Sequence, residues 1–270
     1  MHFIRTVILC FLAAPVAWSQ TTSVQYLANE GVMVTHNATK VLFDPLFSND
    51  FGQYQMVPTA MRNAILAGDA PYDQVDAVFI SHHHEDHFSA ADILQLLRTQ
   101  TGARLYAPAQ AVAAIRRIAG ADDGTVLDRL VGLDLNYGDT PVNIETDDLL
   151  VEAVHIPHSG WPTARTDVQN IAFRITLTDG GTVLHLGDAD PKLLHFANDR
   201  EYWEGRSINL ALPPYWFFAS DGGNEILDDL LDVGHSIGIH VPDSFAAPAN
   251  RPAELAGFEL FTTPGEVRQF

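Results

Sequence analysis

Residues 82–87 read His-His-His-Glu-Asp-His, and no other segment limits so strongly what this chain can be. The run follows an apolar, strand-like segment, Ala77–Ile80, and precedes a predicted helix, Ser89–Arg98, whose apolar residues share one face. A loop at the end of a strand lets a rigid scaffold hold several ligands toward one cleft. Four residues of the run form an H-x-H-x-D-H pattern: His82, His84, Asp86 and His87.

The spacing within this pattern predicts two metal sites. His82 and His84 are alternate residues, which on an extended loop point the same way and can bind one ion. Asp86 and His87 then fall toward a second ion. Zinc suits nitrogen and oxygen ligands, and its catalytic sites keep one position open for water. A solvated polar loop is the alternative, but the density of ligand-type residues favours a metal centre.

The first twenty residues have the layout of a secretory signal peptide. Arg5 gives a short basic start, Thr6–Ala17 is largely apolar, and Ala17 and Ser19 place small residues at the two key cleavage positions. The apolar run is shorter than the roughly 18–20 residues that a membrane span needs. We therefore predict a signal peptide over residues 1–19 and one domain over residues 20–270. The mature protein is expected to be exported, periplasmic or secreted, without an integral membrane span.

Composition narrows the ligands and the partners. The single cysteine, Cys10, lies inside the predicted leader, so histidine and carboxylate must supply any metal ligands of the mature chain. Acidic residues outnumber basic ones 34 to 15, which gives a formal net charge of −19. Nucleic acid and anionic membranes bind through Lys and Arg, so this charge argues against both as partners. A small-molecule substrate is the expected partner.

Strand-like and helix-like segments alternate after the leader, which predicts a layered α/β domain. Gly180 and Gly181 indicate a hairpin between the last two predicted strands. Besides Ser89–Arg98, helices are predicted over Pro108–Ala119 and Glu225–Leu231. Strands are predicted at Val32–Thr35, Val41–Phe43, Ala77–Ile80, Leu149–His155, Ile171–Leu177 and Val183–Leu186.

The H-x-H-x-D-H pattern resembles the first metal motif of the metallo-β-lactamase superfamily. The resemblance covers most of the mature chain, and its details look like the branch of lactonases and phosphodiesterases that includes ascorbate-phosphate lactonases. It implies a four-layer αββα sandwich, with metals at the edge between the sheets, and a metallo-β-lactamase-like hydrolase domain over residues 20–270. Beyond the motif, the resemblance is carried by Tyr26–Val32, Val41–Pro45, Val154–Gly160, Leu184–Asp188 and Ile237–Pro242.

The resemblance also implies which residues hold the metals, carried over position by position. Three histidines are expected to hold one cation: His82, His84 and His158. The second cation is expected to be held by Asp86, His87 and His240. Asp188 is expected to bridge both cations.

One further residue and the cofactors follow from the same resemblance. Asp44 matches a family aspartate that supports the ligand loop through hydrogen bonds. Its plainer interpretation is a turn residue between a strand and a proline. The expected cofactors are two divalent cations, with zinc first and manganese or iron as alternatives, because imidazole and carboxylate accommodate all three.

Three of these ligands have rivals nearby in the sequence. His155 lies three residues before His158, but His155 ends a predicted strand, whereas His158 follows Pro157 into a loop. Asp190 competes with Asp188, which directly follows a strand and a glycine.

The third rival is His235, which competes with His240. The apolar, strand-like context of Ile237–Val241 favours His240. The remaining histidines have no position in the family pattern and are interpreted as structural, surface or at most pocket-lining residues: His36, His83, His185 and His195.

The reaction that the resemblance implies is hydrolysis by a hydroxide that the two metals share. His84 argues against flavodiiron relatives, which typically carry glutamate at that position. The lack of thiols in the predicted mature chain argues against lactamases with a cysteine ligand. The substrates of the branch are lactones and phosphodiesters. Two alternatives stay open: β-lactam hydrolysis at the same site, and a non-catalytic periplasmic protein that binds metal or a partner on this scaffold.

Four more residues are candidates for lining a substrate pocket. Tyr215 and Trp216 begin an aromatic run, Tyr215–Phe218, which offers an apolar wall, although such runs more often form core. Trp161 and Arg165 follow the predicted ligand His158 on the same loop. Arg165 can steer an anionic group, and an ordinary surface arginine is its plainer interpretation.

Overall fold

The structure is a computed structural model that describes residues 22–270, so the predicted signal peptide and Cys10 lie outside the described residues. The strands are β1 (Ser23–Ala28), β2 (Gly31–His36), β3 (Thr39–Phe43), β4 (Ala77–Phe79), β5 (Arg104–Pro108), β6 (Leu130–Leu133), β7 (Val142–Glu145), β8 (Leu149–His155), β9 (Ile171–Leu177), β10 (Thr182–His185), β11 (Leu210–Leu212) and β12 (Val267–Gln269). The helices are α1 (Thr59–Ala67), α2 (Ala90–Thr99), α3 (Ala109–Ile118), α4 (Gly124–Leu127), α5 (Leu193–Ala197), α6 (Arg200–Glu204) and α7 (Asp221–Glu225).

Seven strands form the first sheet, in the order β12-β1-β2-β3-β4-β5-β6. The pairs from β12 to β3 are antiparallel, and those from β3 to β6 are parallel. The parallel strands are joined by crossovers that contain α1, α2 and α3, as parallel connections require. The carboxyl ends of β3 and β4 therefore meet at one edge, which brings Asp44 beside the loop that follows Ile80.

Five strands form the second sheet, in the order β11-β10-β9-β8-β7. All of its pairs are antiparallel except β10 with β11. The hairpin predicted at Gly180 and Gly181 is confirmed, because β9 and β10 pair antiparallel on either side of it. Residues 236–239 run parallel to β11 through isolated bridges, such as the one between Pro214 and Ile239, and they end at His240.

Three separate apolar cores hold four layers together. Between the sheets, the ring of Phe79 lies 5.0 Å from that of Phe43 and 5.1 Å from that of Phe173, which stands on the opposite sheet. A second core packs α1, α2 and α3 on the outer face of the first sheet. A third core packs buried aromatic residues such as Phe196 and Trp203 on the outer face of the second sheet. The predicted four-layer αββα sandwich is confirmed.

Local capping explains where two helices begin. Ser89 caps α2 as predicted, since its hydroxyl accepts a hydrogen bond from the backbone nitrogen of Asp92 at 3.4 Å. The segment predicted as a helix, Glu225–Leu231, is helical as far as Leu230, but the helix begins earlier, at Asp221. Ser220 caps α7 five residues before the predicted start, and the chain from Ile226 to Leu230 continues as a π-helical turn.

The lengths of the described helices decide whether any of them can span a membrane. The longest described helices, α2 and α3, have 10 residues each. Within residues 22–270, no helix combines the length and the apolar character that crossing a bilayer requires.

Candidate metal centre

Asp44 anchors the loop that carries the H-x-H-x-D-H pattern. Its carboxylate is fully buried and accepts hydrogen bonds from the backbone nitrogen of Ser81 at 2.8 Å and from the Ser81 hydroxyl at 2.5 Å. It also accepts a hydrogen bond from His87 Nδ1 at 2.9 Å. The other ring nitrogen of His87, Nε2, therefore faces away from Asp44 and toward Asp188. Asp44 therefore fixes the orientation of a candidate ligand, as carboxylates behind metal-binding histidines do.

A glycine brings the segment after β10 against this loop. Gly187 has a φ of +53°, and a Cβ atom on it would lie 2.6 Å from Ser81 Cβ and 2.5 Å from Asn170 Oδ1. Any other residue would push the two segments apart. The next residue, Asp188, is held by a hydrogen bond from its backbone nitrogen to Asn170 Oδ1 at 3.0 Å.

Three histidines and one carboxylate oxygen converge in what we call the first cluster. His84 Nδ1 lies 3.0 Å from His82 Nε2 and 3.2 Å from His158 Nε2. Asp188 Oδ2 lies 3.1 Å from His158 Nε2. In two of the three rings the other nitrogen is already bonded. His158 Nδ1 donates to the carbonyl of Ser159, and His82 Nδ1 donates to the Ser81 hydroxyl, whose own proton goes to Asp44. The nitrogens that remain, His82 Nε2 and His158 Nε2, therefore present their lone pairs to the space inside the first cluster.

The other oxygen of Asp188 faces what we call the second cluster, formed by Asp86, His87 and His240. Asp188 Oδ1 lies 3.2 Å from His240 Nε2 and 3.3 Å from His87 Nε2. Asp86 Oδ2 lies 3.4 Å from His240 Nε2. His240 has a φ of +56°, which is uncommon for a residue with a side chain and often marks a functional position.

The residues of both clusters fit divalent cations. His87 Nε2, His240 Nε2 and Asp188 Oδ1 are buried and make no hydrogen bond with any described residue. Leaving such atoms unpartnered costs free energy, and a cation between them would satisfy all three. Imidazole nitrogen and carboxylate oxygen are ligands that zinc, manganese and iron accept. The structure thus brings together all seven residues predicted as ligands.

Protonation differs between the clusters. Burial lowers the pKa of His84 to about 4, and burial also lowers the pKa of His82, so both rings are neutral at pH 7. Burial opposes charge on His87, but the carboxylates of Asp188 and Asp44 outweigh it and raise the pKa of His87 well above its usual value. Burial would raise the pKa of Asp188, yet His240 and His87 hold it well below its usual value, so Asp188 is ionised.

The rival residues lie outside both clusters. His155 Nε2 bonds to the carbonyl of Val168 at 3.2 Å. Asp190 pairs with Lys192 at 2.8 Å, and His235 is half-buried, 3.6 Å from a carboxylate oxygen of Glu259.

Three of the remaining histidines have structural contacts. His36 Nδ1 shares a hydrogen bond with the Thr22 hydroxyl at 3.1 Å, and His195 Nδ1 shares one with the Tyr137 hydroxyl at 3.0 Å. His185 is fully buried and stacks on Phe43 with ring centroids 5.0 Å apart.

Glu30 is the residue beside the clusters that sequence reasoning missed. It lies in the turn between β1 and β2, and it is fully buried. One of its oxygens lies within 4.8 Å of ligand atoms of Asp188 and His240. Burial raises the pKa of Glu30 well above its usual value. The sequence carries no sign of this burial, because an acid in a tight turn is usually exposed.

A cavity of about 440 Å³ opens onto both clusters. Of the four residues predicted to line a pocket, Arg165 and Trp216 do so here. Trp161 lines a neighbouring cavity of about 710 Å³, which Arg165 and His158 also border. Tyr215 packs edge to face on Trp216, with ring centroids 5.5 Å apart. Sequence reasoning missed four lining residues: Phe51, Gln53, Tyr54 and Ser159.

The walls of the smaller cavity combine aromatic rings with one guanidinium group. Tyr54 and Trp216 pack edge to face on His240, with ring centroids 4.2 and 5.2 Å away. Phe51 is 52% exposed at the rim. Arg165 is the only arginine or lysine among the described residues that line this cavity, and its Nη1 donates to the carbonyl of Ser159 at 3.2 Å.

Comparison with known proteins agrees with this geometry. The family model described as "Beta-lactamase superfamily domain" matches residues 39–196, which is more than half of the chain. The matched range contains Asp44 and every predicted ligand except His240. No curated protein matches the sequence closely enough to count as a relative.

Solved structures resemble the chain in fold over almost its whole length. An isothiocyanate hydrolase from Delia radicum gut bacteria has a TM-score of 0.62 and 13% identity, covering 92% of this chain and 99% of that one. Igni18, a metallo hydrolase from Ignicoccus hospitalis, has a TM-score of 0.59 and 19% identity, covering 93% and 98%. CmlA, a diiron β-hydroxylase from Streptomyces venezuelae, has a TM-score of 0.53 and 15% identity, covering 93% and 54%. One fold therefore supports both hydrolysis and oxidation.

Proposed function

This chain belongs to the β-lactamase superfamily, and from that premise we propose that it is an exported hydrolase with two divalent cations, acting on a lactone or a phosphodiester. Hydrolysis is supported by two structural neighbours, one of them a metallo hydrolase and the other an isothiocyanate hydrolase. The substrate class rests on the resemblance of its sequence to the lactonase and phosphodiesterase branch. Export rests on the sequence of residues 1–20 alone.

One observation carries the dinuclear part of the proposal. The two oxygens of Asp188 face different clusters, with Oδ2 3.1 Å from His158 Nε2 and Oδ1 3.2 Å from His240 Nε2. A carboxylate in this position can join two cation sites in one centre. When bound, two divalent cations lower the pKa of water and polarise the bond that is attacked.

The chain's own residues supply position and charge. Asp188 remains ionised because His240 and His87 lower its pKa, so it is ready to bind cations without first losing a proton. Asp44 orients the His87 ring by accepting from Nδ1, so that Nε2 faces the second cluster.

The cavity walls suggest how a substrate is held. Trp216 and Tyr54 offer apolar rings beside the second cluster, and Arg165 offers a guanidinium group that suits a carboxylate or a phosphodiester. A volume of about 440 Å³ fits a small molecule. These features suit a substrate with one apolar part and one anionic group.

Hydrolysis of a substrate panel tests the proposal. The metal-loaded protein would be assayed against lactones, phosphodiesters and β-lactams, together with an isothiocyanate because one structural neighbour hydrolyses that class. Asp188→Ala is the control on every substrate. Turnover of a lactone or a phosphodiester that Asp188→Ala abolishes is the expected result.

The other outcomes of the panel decide between the alternatives. Turnover confined to β-lactams or to the isothiocyanate would replace the proposed substrate class. No turnover of any class by a protein that holds two cations would favour the non-catalytic alternative. N-terminal sequencing of the exported protein tests the predicted cleavage after Ser19.

A further inference from the structure

The turn between β1 and β2 is built into the wall of the second cluster. Asn29 Nδ2 donates to the backbone carbonyl of Asp86 at 2.9 Å. The backbone carbonyl of Asn29 accepts from the backbone nitrogen of His240, also at 2.9 Å. Asn29 itself has a φ of +49°, so this turn is held in an uncommon conformation between two candidate ligands. Glu30 is the next residue.

The Glu30 side chain has no partner that explains its burial. It is fully buried, and neither carboxylate oxygen makes a hydrogen bond with any described residue. The nearest donor is His185 Nε2, 3.3 Å from Oε2, but that nitrogen already donates to the backbone carbonyl of Glu30 at 3.1 Å.

Another buried glutamate shows what a structural role looks like in this molecule. Glu152 receives two hydrogen bonds from the guanidinium of Arg174, at 2.7 and 2.8 Å. A buried carboxylate is normally paired in this manner, since an unpaired one is costly. Glu30 lacks any such cation among the described residues.

The Glu30 carboxyl group lies beside the second cluster. One of its oxygens lies within 4.8 Å of the ligand atoms of Asp188 and His240, which are themselves 3.2 Å apart. Two atoms that each stand about 2.0–2.2 Å from one cation are at most about 4.4 Å apart, which is close to this limit. A cation there would also provide the missing partner of Glu30.

We propose that Glu30 is a further metal ligand of the second cluster, adding a third carboxylate to those of Asp86 and Asp188. This inference rests on the dinuclear centre proposed above. The second site would then offer up to three carboxylates and two imidazoles, against three imidazoles and one carboxylate in the first. Carboxylate oxygen favours harder cations, so the second site is suited to Mn²⁺, whereas the first suits Zn²⁺.

Binding of Mn²⁺ to the purified protein tests the proposal without any assay of activity. The paramagnetic resonance signal of free Mn²⁺ reports each equivalent bound by the wild type, by Glu30→Gln and by Glu85→Gln. Glu85 is a matched control: it lies in the ligand loop itself, but its side chain is exposed and accepts from Asn49 Nδ2, so the same substitution removes one charge near the clusters without removing a candidate ligand. We expect Glu30→Gln to weaken the second equivalent by about tenfold to a hundredfold and to leave the first unchanged. A weakening of less than threefold, or an equal effect of Glu85→Gln, would overturn the proposal.

A crystal structure of the Mn²⁺-loaded wild type gives an answer that does not depend on the variant folding. A Glu30 oxygen within about 2.5 Å of an ion is the expected result. Two bound ions with both Glu30 oxygens beyond that distance would overturn this inference and leave the dinuclear centre standing. A wild-type protein that binds fewer than two equivalents would contradict the dinuclear centre itself, and this inference with it.

Discussion

The two clusters share Asp188 but differ in chemistry. The first is rich in nitrogen, and the rings of His82 and His84 are neutral because burial lowers their pKa values. The second has as many carboxylates as imidazoles, and its His87 has a raised pKa because the carboxylates of Asp188 and Asp44 outweigh the effect of burial. The difference indicates that the two sites would not be interchangeable: they should differ in metal preference and in their response to pH.

The two clusters also differ in the segments of the chain that supply their residues. The first cluster draws on loops after β4, β8 and β10, which leave adjacent edges of the two sheets. The second adds His240, which follows the segment beside β11, and the turn between β1 and β2. The second site therefore depends on segments that span more of the sequence, from the turn at residues 29–30 to His240.

Substitution of Asp188 should have the largest effect, because it removes the one group that both clusters share. The variant Asp188→Asn loses the negative charge of the carboxylate that faces both cation sites. We expect hydrolysis of any substrate found to fall by more than the 10²–10³-fold that loss of a single electrostatic contact costs. Metal analysis of the same sample should show loss of both equivalents. Retention of both with full activity would mean that Asp188 does not join the clusters.

Substitution of Asp44 should separate the clusters. Asp44→Asn weakens the acceptor for His87 Nδ1, so the orientation of the His87 ring is no longer fixed. We expect the affinity for the second equivalent to fall about tenfold to a hundredfold, and that for the first to fall less. Calorimetric titration with Zn²⁺ would measure both. Equal losses at the two sites would contradict the distinct role given to this contact.

Changing the pH should distinguish the clusters by proton release. A raised pKa means that metal-free His87 is still protonated near neutral pH, and this proton must leave before Nε2 can bind a cation. The second equivalent should therefore bind about tenfold more weakly for each pH unit below that pKa. The His82 and His84 rings are already neutral, so the first equivalent should release no proton from them. Titrations in buffers of different ionisation enthalpy would count the protons, and equal release at both steps would contradict the comparison.

Substitution of Arg165 should have the smallest effect, because this residue lies in the cavity wall and not in either cluster. We expect Arg165→Ala to raise KM for an anionic substrate by about tenfold, with kcat little changed, since a charge-assisted hydrogen bond contributes on the order of 1.5–3 kcal/mol. Arg200→Ala is a matched control, because Arg200 is exposed and pairs with Glu204 on the surface. A lowered kcat with unchanged KM would assign Arg165 to the reacting centre instead.

Much of the fold and of the first metal motif follows from local sequence. The predicted strands at Val41–Phe43 and Ile171–Leu177 lie within β3 and β9, because short β-branched runs have few other stable conformations. The ligand loop after β4 stands out because ligand-type residues are concentrated between a strand and a capped helix. The sequence does not predict that α7 starts at Asp221, and the reason is physical. A helix that contains Gly222 and Gly223 has a low intrinsic helix propensity, so it forms through tertiary packing.

The parts of the site that sequence reasoning missed depend on contacts between distant segments. Glu30 becomes buried only because its turn packs against the loops of Asp86 and His240. Phe51 and Tyr54 belong to a loop that is fixed at both ends by tertiary hydrogen bonds, such as that from the Asp243 backbone nitrogen to the Gln53 carbonyl at 2.8 Å. No spacing within residues 49–56 reveals that they line a cavity.

Metal analysis of two single-histidine variants tests most directly the claim that two distinct sites meet at Asp188. His158 belongs only to the first cluster and His240 only to the second, so each substitution by alanine should remove one site. The account predicts two equivalents of divalent cation in the wild type and one in each variant, with Zn²⁺ retained preferentially by His240→Ala. Two equivalents in either variant, or one in the wild type, would contradict it.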